Sequence, residues 1–188
     1  MRIIAGKFRG RKLKSPPSLE VRPTSDRLRE TLFNVIAPRI ADARFLDLCA
    51  GSGAVGIEAI SRGAAHVTLV DSSRPMCTLI KANLELCRIE RSESEVIQSD
   101  ALEYLRRFVS KQPDSGKPWD LVFFDPPYAA DYSPILKLFR AHSSTLSTKN
   151  GLLIVEHYYK TELPEILPLA PSRVLKQGDS VLSFYPAV

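Results

Sequence analysis

One segment constrains the fold more than any other: Gly51-Ser52-Gly53-Ala54-Val55-Gly56, a GxGxxG turn set between an apolar run and a short helical pattern. The run before it, Phe45-Leu46-Asp47-Leu48-Cys49, reads as a buried strand, and Val55, Ala59 and Ile60 after it recur at helical spacing. Asp71 stands twenty residues after Gly51, at the end of the next strand, His66 to Val70. On spacing alone this fits a nucleotide-binding α/β fold. Its glycines let a ligand approach the backbone, and the acid accepts hydrogen bonds from ribose hydroxyls.

The ligand is set by what surrounds the loop. A pyrophosphate needs the helix N-terminus free of negative charge, whereas Asp47 brings a carboxylate to the strand just before it. That charge repels phosphates and suits a cationic ligand such as the ammonium and sulfonium of S-adenosylmethionine. The bland alternative is that Asp47 only caps the loop's own amides. An NAD-dependent hydride-transfer enzyme is the rival that GxGxxG by itself would suggest.

Short strands and amphipathic helices alternate through the rest of the chain. Pro75 sits in the first turn of a helix carrying Met76, Leu79, Ile80, Leu84 and Cys87. Ser94 to Gln98 is a third strand ending at Asp100, followed by a helix with Leu102, Leu105 and Phe108. Lys111 to Pro118 is a surface loop, Trp119 to Phe124 a fourth strand, Ile135 to Phe139 part of a helix, and Gly151 to Glu156 a fifth strand. Arg173 to Lys176 and Val181 to Tyr185 flank a Gln177-Gly178-Asp179 turn, so they pair antiparallel. The expected fold is α/β and Rossmann-like, a seven-stranded, mostly parallel sheet with an antiparallel C-terminal hairpin and a basic N-terminal arm.

Charge divides the chain. The net charge is +5, but residues 1–39 hold ten Lys/Arg against three acids, leaving sixteen against eighteen in residues 40–188. The expected organisation is therefore a basic arm and helix over 1–39 and a catalytic domain over 40–188. The arm carries Lys7, Arg9, Arg11, Lys12 and Lys14 with no acid before residue 20, and has too few apolar groups to pack as a core element, though Ile3-Ile4 and Phe8 could anchor a short strand. Thr24 or Ser25 caps a helix with Leu28, Leu32, Val35 and Ile36 that Pro38 stops, and its other face presents Arg22, Arg27 and Arg29, of which Arg22 and Arg29 could instead pair with Asp26 and Glu30 and brace the arm against the domain. The longest apolar runs are four residues, so neither a membrane span nor a secretory signal is expected. Three cysteines without a CxxC pair suggest no metal site and no disulfide framework, and a reduced cytoplasmic setting.

Acids recur where such folds bind ligands, at the carboxyl ends of strands. Asp71 and Asp100 each end a strand, and each could also cap the following helix. Asp125-Pro126-Pro127-Tyr128 directly follows the fourth strand and is the most informative quartet in the chain. Consecutive prolines have no amide hydrogens and fixed φ angles, so this turn offers carbonyl oxygens in a rigid array. Asp125 and the Pro126 carbonyl could hold both hydrogens of an exocyclic amine, and Tyr128 could stack on a flat base for ~1–3 kcal/mol. A simple post-strand turn is the alternative. His66, His142 and His157 are isolated, and Cys49 is a small packing residue. Glu156-His157-Tyr158 follows the fifth strand on the binding edge, which leaves a substrate contact open there.

In motif order the chain resembles class I S-adenosylmethionine-dependent methyltransferases with a [DN]PPY amino-methylation motif. Arg2-Ile3-Ile4-Ala5-Gly6, Arg9-Gly10-Arg11-Lys12-Leu13, the block from Arg22-Pro23-Thr24-Ser25-Asp26-Arg27 to Leu32-Phe33-Asn34, Leu46-Asp47-Leu48-Cys49-Ala50-Gly51-Ser52-Gly53, and Gly178-Asp179 with Ser183-Phe184-Tyr185 carry a closer likeness. They resemble the bacterial small-subunit rRNA guanine-N2 methyltransferase family. Cys49 replaces the first loop glycine of the wider class. The resemblance implies transfer of a methyl group to the N2 amine of one guanine of 16S rRNA, free or in a small subunit or assembly intermediate, with S-adenosylhomocysteine as second product.

On this reading Asp125, Pro126 and Tyr128 are catalytic. The cofactor is held by Asp47, Cys49, Ala50, Gly51, Ser52 and Gly53, by Asp71 and Ser72, by Asp100 and Ala101, and by Asp125. RNA is held by Lys7, Arg9, Arg11, Lys12, Arg22, Thr24, Arg27 and Arg29. No metal is required, and nothing demands more than a monomer. The rivals are adenine-N6 methylation, glutamine methylation and a non-catalytic RNA-binding or ribosome-assembly module on the same fold.

Overall fold

The computed structural model describes residues 1–16, 25–111, 116–127, 129–164 and 170–187. Helix α1 (Asp26–Ile40) is followed by β1 (Arg44–Leu48), α2 (Ala54–Ser61), β2 (His66–Asp71), α3 (Arg74–Cys87), β3 (Ser94–Gln98) and α4 (Ala101–Ser110). Then come β4 (Trp119–Phe124), α5 (Ser133–Ala141), α6 (Ser143–Leu146), β5 (Ser147–Tyr158), β6 (Arg173–Gln177) and β7 (Ser180–Pro186). The seven strands form one sheet in the order β3-β2-β1-β4-β5-β7-β6. The first five run parallel, and β7 pairs antiparallel with both β5 and β6. The β6–β7 hairpin closes between Gln177 and Ser180. Gly178 stands at φ +61 in the first central position of that two-residue turn, where primed turns require a positive φ.

The strands alternate their side chains between two apolar layers. Phe45, Val67, Leu69, Leu121, Phe123 and Ile154 pack with α1, α2 and α3, while Leu46, Leu48, Val70, Val122, Phe124 and Val155 pack with α4, α5 and α6. Because both faces are covered, the central strands read as apolar runs rather than as alternating patterns. Strand order reverses between β1 and β4. The crevice above their carboxyl ends is the topological switch point at which ligands of such sheets bind.

Two expectations are corrected here. Helix α1 does not stop at Pro38 but runs to Ile40. Pro38 lies in the last turn and removes a single intrahelical hydrogen bond. Ile40 is buried in the core and Arg39 donates to the Asn150 carbonyl, so tertiary contacts hold the final residues. The arm, in turn, packs as part of the core. Ile3, Phe8 and Leu13 are buried in the same cluster as α1 and α2, and Arg2 bridges Lys12.

The arm lies on α2, every residue of which is buried. Glu58 accepts hydrogen bonds from the Ile4 and Ala5 amides at 2.8 and 3.0 Å, and Ser61 Oγ accepts from the Phe8 amide at 2.9 Å. A short basic segment is thus secured through its main chain, which leaves most of its cationic side chains outside. Among the described residues, no helix is long and apolar enough to cross a membrane.

Candidate active site

A cavity of about 1410 Å³ opens at the carboxyl ends of β1, β2 and β4. Its walls include Cys49, Ala50, Gly51 and Ser52 of the glycine loop, Asp71 and Ser72 after β2, Asp100 and Ala101 after β3, and Asp125, Pro126 and Pro127 after β4. Pockets for single small ligands run to ~1,000 Å³. This one has room for a nucleoside-sized cofactor and a base together.

Asp71 organises the loop. Its Oδ2 accepts from the Gly51 amide and its Oδ1 from the Ser73 amide, both at 2.8 Å. The carboxylate thereby ties the loop after β1 to the first turn of α3, while Ser73 caps that helix. Gly51 adopts φ +54, and a Cβ there would meet no protein atom within 4 Å. The space beside it is therefore open to a ligand. Gly56 serves packing: a Cβ would lie 2.8 Å from both Leu69 Cδ2 and Val67 Cγ2. Asp100 caps α4 through the Glu103 amide and also faces the cavity, so both readings of this acid hold together.

Asp47 takes the alternative place, bound to an amide of the loop's own helix rather than facing a ligand. It is 2% exposed, is not part of the cavity wall, and its Oδ2 accepts from the Gly56 amide at 2.9 Å. Burial raises its carboxyl to about 7, opposed by the Gly56 hydrogen bond and reinforced by the charge of Asp71. Asp47 therefore supports the loop from beneath. Gly53 is likewise absent from the wall and acts as the left-handed residue that starts α2.

The cavity is strongly anionic. Burial and the carboxylates of Asp71, Asp125, Asp47 and Asp100 together push the Cys49 thiol up to about 12. Such a thiol stays protonated and is no nucleophile, in keeping with a packing role. The carboxylates of Asp71, Asp100 and Asp125 on its walls make the crevice hostile to a pyrophosphate and favourable to a cation.

The wall opposite the glycine loop is built by β4 and β5. The Asp125 amide donates to the Leu48 carbonyl at 3.4 Å, which carries the β1–β4 ladder one step past Phe124. Pro126 is buried against the cavity and Pro127 is exposed at its rim. Tyr128 lies outside the described residues. Glu156, 4% exposed at the end of β5, also faces the cavity. Sequence reasoning left Glu156 only as an open contact, because a single acid ending an apolar strand has no local pattern. Pro16 was missed as well: it brings the end of the arm to the cavity wall.

The cations expected to meet RNA divide into groups. Lys7, Arg9, Lys12 and Arg27 are exposed. Arg11 is half-buried, donates to the Leu86 carbonyl at 2.8 Å and lies over the Phe8 ring, so it braces the arm against α3. Arg29 is corrected outright as a surface contact: it is fully buried, donates to the Arg2 carbonyl and to Asp26, and lies 3.7 Å from Glu58. The alternative pairing with Asp26 is the one observed. Arg22 and Thr24 lie outside the described residues.

The sequence model of the family described as Conserved hypothetical protein 95 matches residues 1–186. Ribosomal RNA small subunit methyltransferase D of Escherichia coli (strain K12) is 38% identical over 174 residues, covering 92% of this chain and 80% of that protein. The chain belongs to the ribosomal RNA small subunit methyltransferase D family. The Haemophilus influenzae member of that name is 42% identical over 128 residues, 68% of this chain and 64% of its own length. Among solved structures, a hypothetical protein from Thermus thermophilus aligns at 31% identity with a TM-score of 0.81, covering 98% of each chain. The rRNA methyltransferase aviRa from Streptomyces viridochromogenes shares the fold at 17% identity, with a TM-score of 0.70 over 95% of this chain and 90% of its own. In this member of the family, the glycine loop, the strand-end acids and the Asp125-Pro126-Pro127 turn open onto one cavity.

Proposed function

We propose that this chain transfers the methyl group of S-adenosylmethionine to the exocyclic N2 amine of one guanine in 16S rRNA and releases S-adenosylhomocysteine. It is an rRNA methyltransferase by family, and the anionic cavity beside the glycine loop supports S-adenosylmethionine as its methyl donor. The observation that carries the finer reading is the shared cavity: the Asp125-Pro126 turn faces the glycine loop across the β1–β4 switch point. We read the protein as a cytoplasmic monomer acting on free RNA, on the small subunit or on an assembly intermediate.

The residues present fit the cofactor. Open space beside Gly51 admits a ligand against the backbone, and the surrounding carboxylates suit an ammonium and a sulfonium. Asp71 and Ser72 would hold the ribose, Asp100 and Ala101 the adenine, and Ala50, Gly51 and Ser52 the amino-acid end. When bound, the cofactor supplies an electrophilic methyl group.

The protein's task is to prepare the nucleophile. The N2 lone pair of guanine is delocalised into the ring, so attack requires the nitrogen to move toward sp3. Asp125 and the Pro126 carbonyl, fixed by two prolines, accept the amine hydrogens away from the base plane and favour that geometry. Holding the nitrogen in line with the methyl group supplies the proximity contribution. The proton released leaves to Asp125 or directly to water. A base bound this way has left its stack, so the target guanine is unpaired or extruded, with Tyr128 as stacking partner. Lys7, Arg9, Lys12 and Arg27 would meet the flanking phosphates.

The test is incubation with methyl-labelled S-adenosylmethionine and unmethylated small subunits or their RNA, followed by nucleoside analysis. Label on N2-methylguanine is the expected result. Label only on adenine, or on a protein glutamine, overturns the reading.

A further inference from the structure

Strand β5 places a second carboxylate beside the first. The parallel register of β4 and β5 ends with Phe124 opposite Val155, and the residues that follow are Asp125, just past β4, and Glu156, still within β5. Neighbouring strands lie ~4.8 Å apart. Both residues line the same cavity, Glu156 from a position almost closed to solvent. In so sheltered a place a hydrogen bond to a ligand is strong, and a mismatched ligand group is heavily penalised.

We infer that Glu156 accepts the N1–H of the target guanine, next to Asp125 and Pro126 at its N2 amine, and so selects guanine over adenine. This rests on the guanine-N2 reading above and names the residue that sets its base preference. The Watson–Crick edge of guanine presents N1–H and N2–H side by side, two donors for two adjacent acceptors. Adenine offers its amine next to an N1 lone pair, which would face the Glu156 carboxylate. A site built to accept a hydrogen bond rejects an analogue that lacks the donor by large factors, up to ~10⁴-fold.

2-Aminopurine separates the effects, because it keeps the N2 amine and has an unprotonated N1. The full chain is assayed on small-subunit RNA carrying either guanine or 2-aminopurine at the mapped target position. Wild type should favour guanine by ~100-fold or more in kcat/KM. Glu156→Gln, whose amide can donate to N1, should shrink that ratio to ~10-fold or less while S-adenosylmethionine affinity, measured by calorimetry, stays within about twofold. Glu156→Asp should keep the preference at a reduced rate. An unchanged ratio in a Glu156→Gln protein that binds the cofactor overturns the inference. If the variants lose cofactor binding, the wild-type ratio decides alone, and a value under tenfold overturns it. A wild type that methylates guanine at no N2 position removes the functional reading itself, a different outcome from a wild type that methylates both bases alike.

Discussion

Asn83 and Lys14 exchange two hydrogen bonds: Asn83 Oδ1 accepts from the Lys14 amide at 2.8 Å, and its Nδ2 donates to the Lys14 carbonyl at 3.1 Å. The same Nδ2 donates to the Ser52 carbonyl at 2.9 Å. One fully buried amide on α3 therefore joins the end of the basic arm to the glycine loop. Asn83→Ala leaves main-chain groups of both segments short of partners, at a cost of about 2–4 kcal/mol. Urea denaturation should show that loss, and calorimetry should show weaker cofactor binding. A variant with wild-type stability would remove the link from the account.

Asp125→Ala should separate chemistry from binding. The side chain is read as orienting the amine, so its loss should lower kcat by ~10²–10⁴. The glycine loop, Asp71 and Asp100 remain, so S-adenosylmethionine affinity should change by no more than a few-fold. Single-turnover methylation alongside calorimetry measures both. Normal turnover would take Asp125 out of the mechanism.

How much of this was legible in the sequence depends on how local the cause is. The strand ends and their acids could be placed because Gly51, Gly53 and Gly56 mark one crossover and Asp71, Asp100 and Asp125 close short apolar runs. The hairpin followed from Gly178. Two features were hidden because their causes lie far along the chain. Arg29 looks like its cationic neighbours, and only Glu58 and the Arg2 carbonyl draw it inside. Ile3, Phe8 and Leu13 have no helical or strand period, yet Glu58 and Ser61 hold their backbone against α2 and bury them. For Asp47 both roles were legible, and its register under Gly56, nine residues on, decides that it supports rather than lines the cavity.

The arm's role in RNA binding rests on the cations that the fold leaves outside. Arg9→Glu combined with Lys12→Glu changes two exposed residues and no described hydrogen bond of their side chains. RNA affinity should fall, and the slope of log affinity against log salt should become shallower by about 2. Cofactor affinity should hold. Arg11→Ala should behave differently and lower stability, because it loses the Leu86 carbonyl and the Phe8 ring. Filter binding over a salt series, paired with thermal melts, distinguishes the two. Equal RNA affinity in the double variant would make the arm an ordinary solvated surface.

Asp47 should leave a signature in the pH dependence of stability. Its carboxyl titrates at about 7 in the folded protein, against an ordinary value of 3.8. Between those values the native state keeps a proton that the unfolded chain has released, so this group's contribution to stability is present below about 4 and is lost as pH rises through 7. The slope within the window is at most ~1.4 kcal/mol per pH unit. Asp47→Asn removes the titration and keeps an oxygen for the Gly56 amide, so the variant should gain on wild type steadily from pH 4 to 7 and hold that gain at pH 8. Urea unfolding of both proteins at unit steps of pH gives the difference directly, with every other titrating group cancelling. Parallel curves would mean that Asp47 is ionised throughout, and that its hydrogen bond from Gly56 outweighs its burial.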